Sequence, residues 1–168
     1  EKGIRLETSL ATSMFYLGFN WLDPVVGPGN SPEDARRAKL LRQAIAIAVD
    51  WEEFSQIFTN GRAVPSHGPV PPGLFGFEEG EAGYNTQVYN IVDGKPVRKP
   101  IEEALALLKQ AGYDNGMNVK TGQPLTLALD TTGMGMPPVV AGLVITNLHW
   151  RSGPLGGLRL LYTPTAIV

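Results

Sequence analysis

Residues 40–77 read LLRQAIAIAVDWEEFSQIFTNGRAVPSHGPVPPGLFGF: two helical patterns that run into a segment unable to be either helix or central strand. From Ala63 to Gly76 there are four prolines and three glycines. Proline has no amide hydrogen and a fixed φ, so a helix interior or a central strand excludes such a run. The chain must leave its second helix into a long, stiffened loop. A loop of that length in a compact domain is commonly functional.

The helices before the loop carry their own punctuation. Ser31 is placed to cap the first, with Pro32 at the first helical position and Asp34 three residues on. Leu41, Ala44, Ile45 and Ala48 then recur on one helical face, and Leu40 and Ile47 widen it. The second half of this helix, expected over 32–49, should be nearly surrounded by protein, while Glu33 to Lys39 should be wet. Asp50 can cap a second helix over 51–59, with Glu53 in a capping-box position and Trp51, Phe54, Ile57 and Phe58 as its apolar face. Asn60-Gly61 ends it, Gly61 suiting the left-handed position after the last turn.

Elsewhere the pattern is sparser. Ile4 and Leu6 alternate with Arg5 and Glu7, a short strand signal. Met14 to Asn20 is apolar on both faces, which predicts a buried strand. Asn20-Trp21 and Asp23-Pro24 then turn the chain. Glu78 to Gly83 should be exposed, and Tyr84 to Val92 is open between strand and irregular packing. Asp93-Gly94 is a turn. Ile101, Ala104, Leu105, Leu108 and Ala111 predict a helix over 100–111, ended by Gly112, with Tyr113 folding back. Asp114 to Gln123 is rich in turn residues. Leu125, Leu127 and Leu129 alternate as a strand. These elements predict an α/β fold: a mixed sheet of short strands near Ile4, Phe15 and Leu125, with helices packed on it.

Composition excludes several functions. A net charge of −2 offers no basic surface to nucleic acid or an anionic membrane. The absence of cysteine removes disulfides and thiolate chemistry. The N-terminal EKGIRLETSL has no apolar core of a secretory signal, and Val139 to Ile145 is too short to span a bilayer. His67 and His149 are the only histidines, so neither a metal centre nor another cofactor is expected. Ser66-His67 could in principle serve a hydrolase, but adjacent residues in a proline-rich loop seldom face one another, and no G-x-S-x-G elbow exists. Glu52-Glu53 and Glu102-Glu103 lie in first turns of helices, where the macrodipole accounts for them. Gly153 to Gly157 lacks the Lys-Ser/Thr ending of a phosphate-binding loop.

What remains is binding by the loop. Its prolines order the backbone in advance, and Val70, Leu74, Phe75 and Phe77 offer apolar surface to an extended peptide. The competing expectation is that Leu74, Phe75 and Phe77 only anchor the loop to the core. The residues expected to meet a ligand are Asn20, Trp21, Arg62, His67, Pro69, Val70 and Phe75. For Asn20 a turn cap is the favoured reading over ligand contact.

Leu41, Arg42, Gln43, Ala44, Ile45, Ala48 and Asp50 form an "LRQAI-x-x-A-x-D" helix. Gly61, Ala63, Pro65, Gly68, Pro69, Pro71, Pro72 and Gly73 follow as "G-x-A-x-P-x-x-G-P-x-P-P-G". Together they resemble the peptide/nickel class (family 5) of bacterial extracellular solute-binding proteins, the receptors of ABC importers. Tyr16 to Pro24, and "EEALALLKQAGY" with the strand after it, resemble the same family, so the likeness runs from about Ile4 to Gly135. It implies part of a lobe of a type II periplasmic-binding-protein fold over 1–135. It also implies a non-enzymatic receptor, monomeric at full length, that closes on an oligopeptide or other small solute and delivers it to a membrane permease. The location it implies is periplasmic or extracellular, with the signal peptide upstream of this chain. A hydrolase using Ser66 and His67 is the alternative. A third option is a fragment with no function of its own.

The likeness lapses at Met136. No Asp or Glu follows Asp130, and the helix expected of the family is missing. Residues 136–168 are expected to be a frameshifted or otherwise foreign tail. The rival is a real strand pair, Val139 to Leu148 with Leu158 to Tyr162.

Overall fold

A computed structural model describes residues 3–132 and 159–165. Helix α1 spans Pro32–Ala48 and starts where its cap residue dictates: the Asp34 amide donates to Ser31 Oγ at 3.1 Å, and that hydroxyl donates to Asp34 Oδ2 at 2.6 Å. Helix α2, Trp51–Thr59, is capped by Asp50, whose Oδ1 accepts from the Glu53 amide at 2.8 Å. Its end is left-handed at both Asn60 (φ 51°) and Gly61 (φ 70°), so the asparagine, not only the glycine, makes the reversal. Helix α3 spans Ile101–Gln110.

The core lies between α1 and α3. Leu41 is fully buried, and Ala44, Ile47 and Ala48 of α1 meet Ala104, Leu108 and Ala111, with Tyr113 and Leu125 closing the cluster. Small residues along both faces bring the two helices close; Glu33, Arg36 and Lys39 stay in water, but the wet half expected over Glu33 to Lys39 is corrected at Ala38, which is fully buried. Tyr113 does fold back, and its hydroxyl accepts from Arg37 Nη1 at 2.9 Å.

Among the described residues the strands form three two-stranded sheets, and this corrects the single mixed sheet expected from the sequence. Strands β1, Tyr89–Val92, and β2, Lys95–Arg98, are antiparallel, with Tyr89 opposite Arg98. Asp93 and Gly94 join them with φ 51° and 73°, the two positive values that a tight hairpin turn demands. The undecided run thus splits: 84–88 is irregular, and 89–92 is strand. Strands β3, Tyr113–Asp114, and β4, Met117–Asn118, make a smaller hairpin inside the turn-rich segment. Strand β5, Thr126–Thr132, is the strand expected near Leu125 and runs parallel to β6, Arg159–Thr165.

The strands expected near Ile4 and Phe15 are not formed. Residues 3–19 lie outside any helix or sheet, with Ile4 at 88% and Phe15 at 84% exposure. A strand exists only when a neighbour takes its amides and carbonyls, and no element among the described residues lies alongside this arm. Of the rival strand pair, Leu158 to Tyr162 falls largely on β6. Val139 to Leu148 lies outside the described residues, as does the boundary at Met136.

Candidate functional site

The proline-rich loop leaves α2 at Asn60 and returns to the fold at β1. Its exit is pinned by Ser55, whose hydroxyl donates to the Ala63 carbonyl at 2.7 Å, and by Thr59, which accepts from the Ala63 amide at 3.0 Å. Its return is a short 3-10 turn, Gly80–Gly83, folded against the preceding residues. A Cβ on Gly83 would lie 2.1 Å from the Glu78 carbonyl oxygen, so only glycine lets the chain close here.

Between exit and return the loop encloses a groove of about 260 Å³. His67, Pro69, Val70, Phe77, Glu78 and Tyr84 line it, with four glycines completing the wall. The His67 ring sets one side. Its centroid lies 5.0 Å from that of Tyr84 and 4.7 Å from that of Tyr89, the latter edge to face. Its Nδ1 faces the Asn85 amide at 3.5 Å.

Tyr89 is buried (6% exposed), and its hydroxyl donates to Glu52 Oε1. The other oxygen of that carboxylate takes Arg98 Nη1 at 2.9 Å. Arg98 also lies 3.2 Å from Asp50 Oδ1, and its Nη2 donates to the carbonyls of Ile47 and Val49. The last turn of α1 holds no basic residue, so Arg98, arriving from β2, supplies the donors its carbonyls need. Burial, followed by the bond to the Glu52 carboxylate, pushes the Tyr89 hydroxyl well above the ordinary tyrosine range.

Of the residues expected to meet a ligand, the fold brings His67, Pro69 and Val70 together. The other four lie off the groove. Asn20 Oδ1 accepts from the Leu22 amide at 2.9 Å, the turn-cap role. Trp21 stacks under Arg42, with the guanidinium carbon 4.6 Å from the ring centre. Arg62 Nε donates to the Thr59 carbonyl at 3.1 Å and trims the end of α2. Phe75 is fully exposed, which also removes it as an anchor to the core. Sequence reasoning missed Tyr84, Tyr89, Glu52 and Arg98. The tyrosines stood in the undecided run, Glu52 had a sufficient local explanation, and no local pattern marks Arg98.

Ser66 Oγ donates to the Gly68 carbonyl at 2.7 Å, and His67 Nδ1 is turned to Asn85, so the two do not form a nucleophile–base pair. Among the described residues no group of His, Asp or Glu could hold a metal ion, and no helix is long and apolar enough to cross a membrane. A second hollow of about 250 Å³ lies where α1 meets α3, lined by Gln43, Gln87, Gln110, Lys99 and Glu103. Gln43 is paired there with Gln87, and Lys99 with Glu103.

Residues 1–148 match the family model of bacterial extracellular solute-binding proteins, family 5 (middle). A 47-residue stretch is 47% identical to a probable anion ABC transporter permease protein of Haloferax volcanii, covering 28% of this chain and 20% of that protein. The alignment thus spans about a fifth of that relative's length. No solved structure matches the chain.

Proposed function

We propose, for a chain that belongs to the bacterial extracellular solute-binding proteins of family 5, that it is part of one lobe of a receptor feeding an ABC importer. The family match over 1–148 carries this conclusion. The solute is a peptide or a similar extended molecule, taken outside the cytoplasm, and the groove around His67 is part of the surface that meets it. The groove's walls suit that class, with aromatic and proline faces for apolar contact. Among the described residues its lining holds one carboxylate, Glu78, and no lysine or arginine. The anion in the permease relative's name therefore finds no counter-charge in this groove.

Such receptors gain their full binding energy only when both lobes touch the solute. The chain by itself is expected to bind peptides more weakly than micromolar. The test is calorimetry with a mixed peptide pool on the complete receptor, rebuilt from the flanking DNA. Val70→Glu in the groove should weaken binding at least tenfold, or by about 1.4 kcal/mol. A complete receptor indifferent to the pool, or a Val70→Glu variant of unchanged affinity, refutes the proposal. Micromolar binding by the chain alone would refute its incompleteness.

We also propose that the C-terminal end, from Met136, is foreign to the receptor. One observation supports this, that no acidic residue follows Asp130, while the family match itself runs on past Met136 to residue 148. The parallel pairing of β6 with β5 is made between backbones, and such pairing needs no common ancestry. Translating the gene in its other two frames tests it: if neither frame restores a charged amphipathic helix, the tail is native.

A further inference from the structure

We infer that Arg98 is a positioning residue for the groove, acting through Glu52 and Tyr89 on the ring of His67. The inference rests on the groove being a solute surface, but its geometry stands independently. Tyr89 and Arg98 face each other across the β1–β2 hairpin, and each takes one oxygen of the same Glu52 carboxylate. The hairpin therefore grips the first turn of α2 at two points. Tyr89 is the member that touches the groove wall, edge to face against His67 at 4.7 Å.

Arg98 has more partners than either Glu52 or Tyr89. Besides Glu52 it meets Asp50 and the carbonyls of Ile47 and Val49, and its side chain is 17% exposed against 43% for Glu52. A planar guanidinium can address several acceptors at fixed angles, and a lysine ammonium cannot. With Arg98 in place, Glu52 presents Oε1 in one direction only, which sets the Tyr89 hydroxyl and with it the plane of the ring beside His67. Without it, a half-exposed glutamate would swing into water and free the tyrosine. Arg98 itself does not line the groove.

The competing role is purely structural: Arg98 caps α1 and nothing more. Proton NMR of the full 168-residue chain separates the two. The imidazole signals of His67, assigned with His67→Gln, report its ring neighbours directly. Arg98→Lys should displace them, and adding Tyr89→Phe should shift them no further than the larger single change, because the residues act in one line. Glu52→Gln, which keeps an acceptor for Tyr89 but gives up the charge, reads the same link if Arg98→Lys does not fold. Arg98→Lys that lowers the melting temperature while leaving the His67 signals in place overturns the inference, as does the same null result with Glu52→Gln. The readout needs no solute. Displaced His67 signals with unchanged peptide affinity in the complete receptor would uphold the relay and refute the groove's binding role.

Discussion

Tyr89→Phe should abolish a specific part of the chain's sensitivity to alkali. The Tyr89 hydroxyl is buried and bonded to a carboxylate, so its folded-state pKa lies above that of the unfolded chain. A group raised in this way contributes stability that is complete below the unfolded value, about 10 for tyrosine, and is lost as pH rises through the folded value. One pH unit above 10, the unfolded chain has released the proton and the folded chain has kept it. The difference removes about 1.4 kcal/mol of stability, and each further unit removes a similar amount until the folded hydroxyl ionises. At neutral pH the same substitution deletes a hydrogen bond to a charged acceptor, for which about 1.5–3 kcal/mol is usual. The lower end applies here: Glu52 is 43% exposed, so water and Arg98 can satisfy the oxygen that Tyr89 leaves. Urea melts of both proteins, at neutral pH and at about pH 11, measure the two terms. The curves should lie about 1.5 kcal/mol apart at neutral pH and converge in alkali. Parallel losses between neutral and alkaline pH would refute the reasoning, because they would show that the Tyr89 proton is held no more tightly in the fold than in the open chain.

Two further outcomes follow from the core and the second cap. Leu41→Ala empties the fully buried position between α1 and α3 and should cost about 2–5 kcal/mol in a urea melt; a loss below about 1 kcal/mol would show that the helices close over the gap. Asp50→Ala removes the α2 cap and one of the partners of Arg98, but Glu52 and two carbonyls still hold the guanidinium, so the loss should stay near about 1–2 kcal/mol. Asp50→Asn keeps a capping oxygen and should lose less; equal losses would place the whole effect on the ion pair.

The helices and their ends were legible from neighbouring residues. Ser31 and Asp50 bond amides three positions on, Leu41 to Ala48 share a face because a helix repeats every 3.6 residues, and Asp93-Gly94 turns because its own backbone can take positive φ. The loop between α2 and β1 was legible for the same reason, since proline acts within its own residue and the one before it. These are short-range causes, and a chain carries them wherever it goes.

The arm at Ile4 and Phe15 shows where such causes stop. Its alternation suits a strand, yet a strand is a property of two segments, and no described element lies beside this one. The groove depends on distance in the same way. His67, Pro69 and Val70 come from the loop, but the wall they form is completed by Tyr84 and set by Tyr89, Glu52 and Arg98. Arg98 meets its partners across 46 to 51 positions of chain. Nothing near Arg98 announces that it will end a helix begun at Pro32. Only the packing of α3 on α1, with the hairpin carried alongside, brings a guanidinium to those carbonyls, because buried acceptors must be satisfied by whatever donor the fold delivers to them.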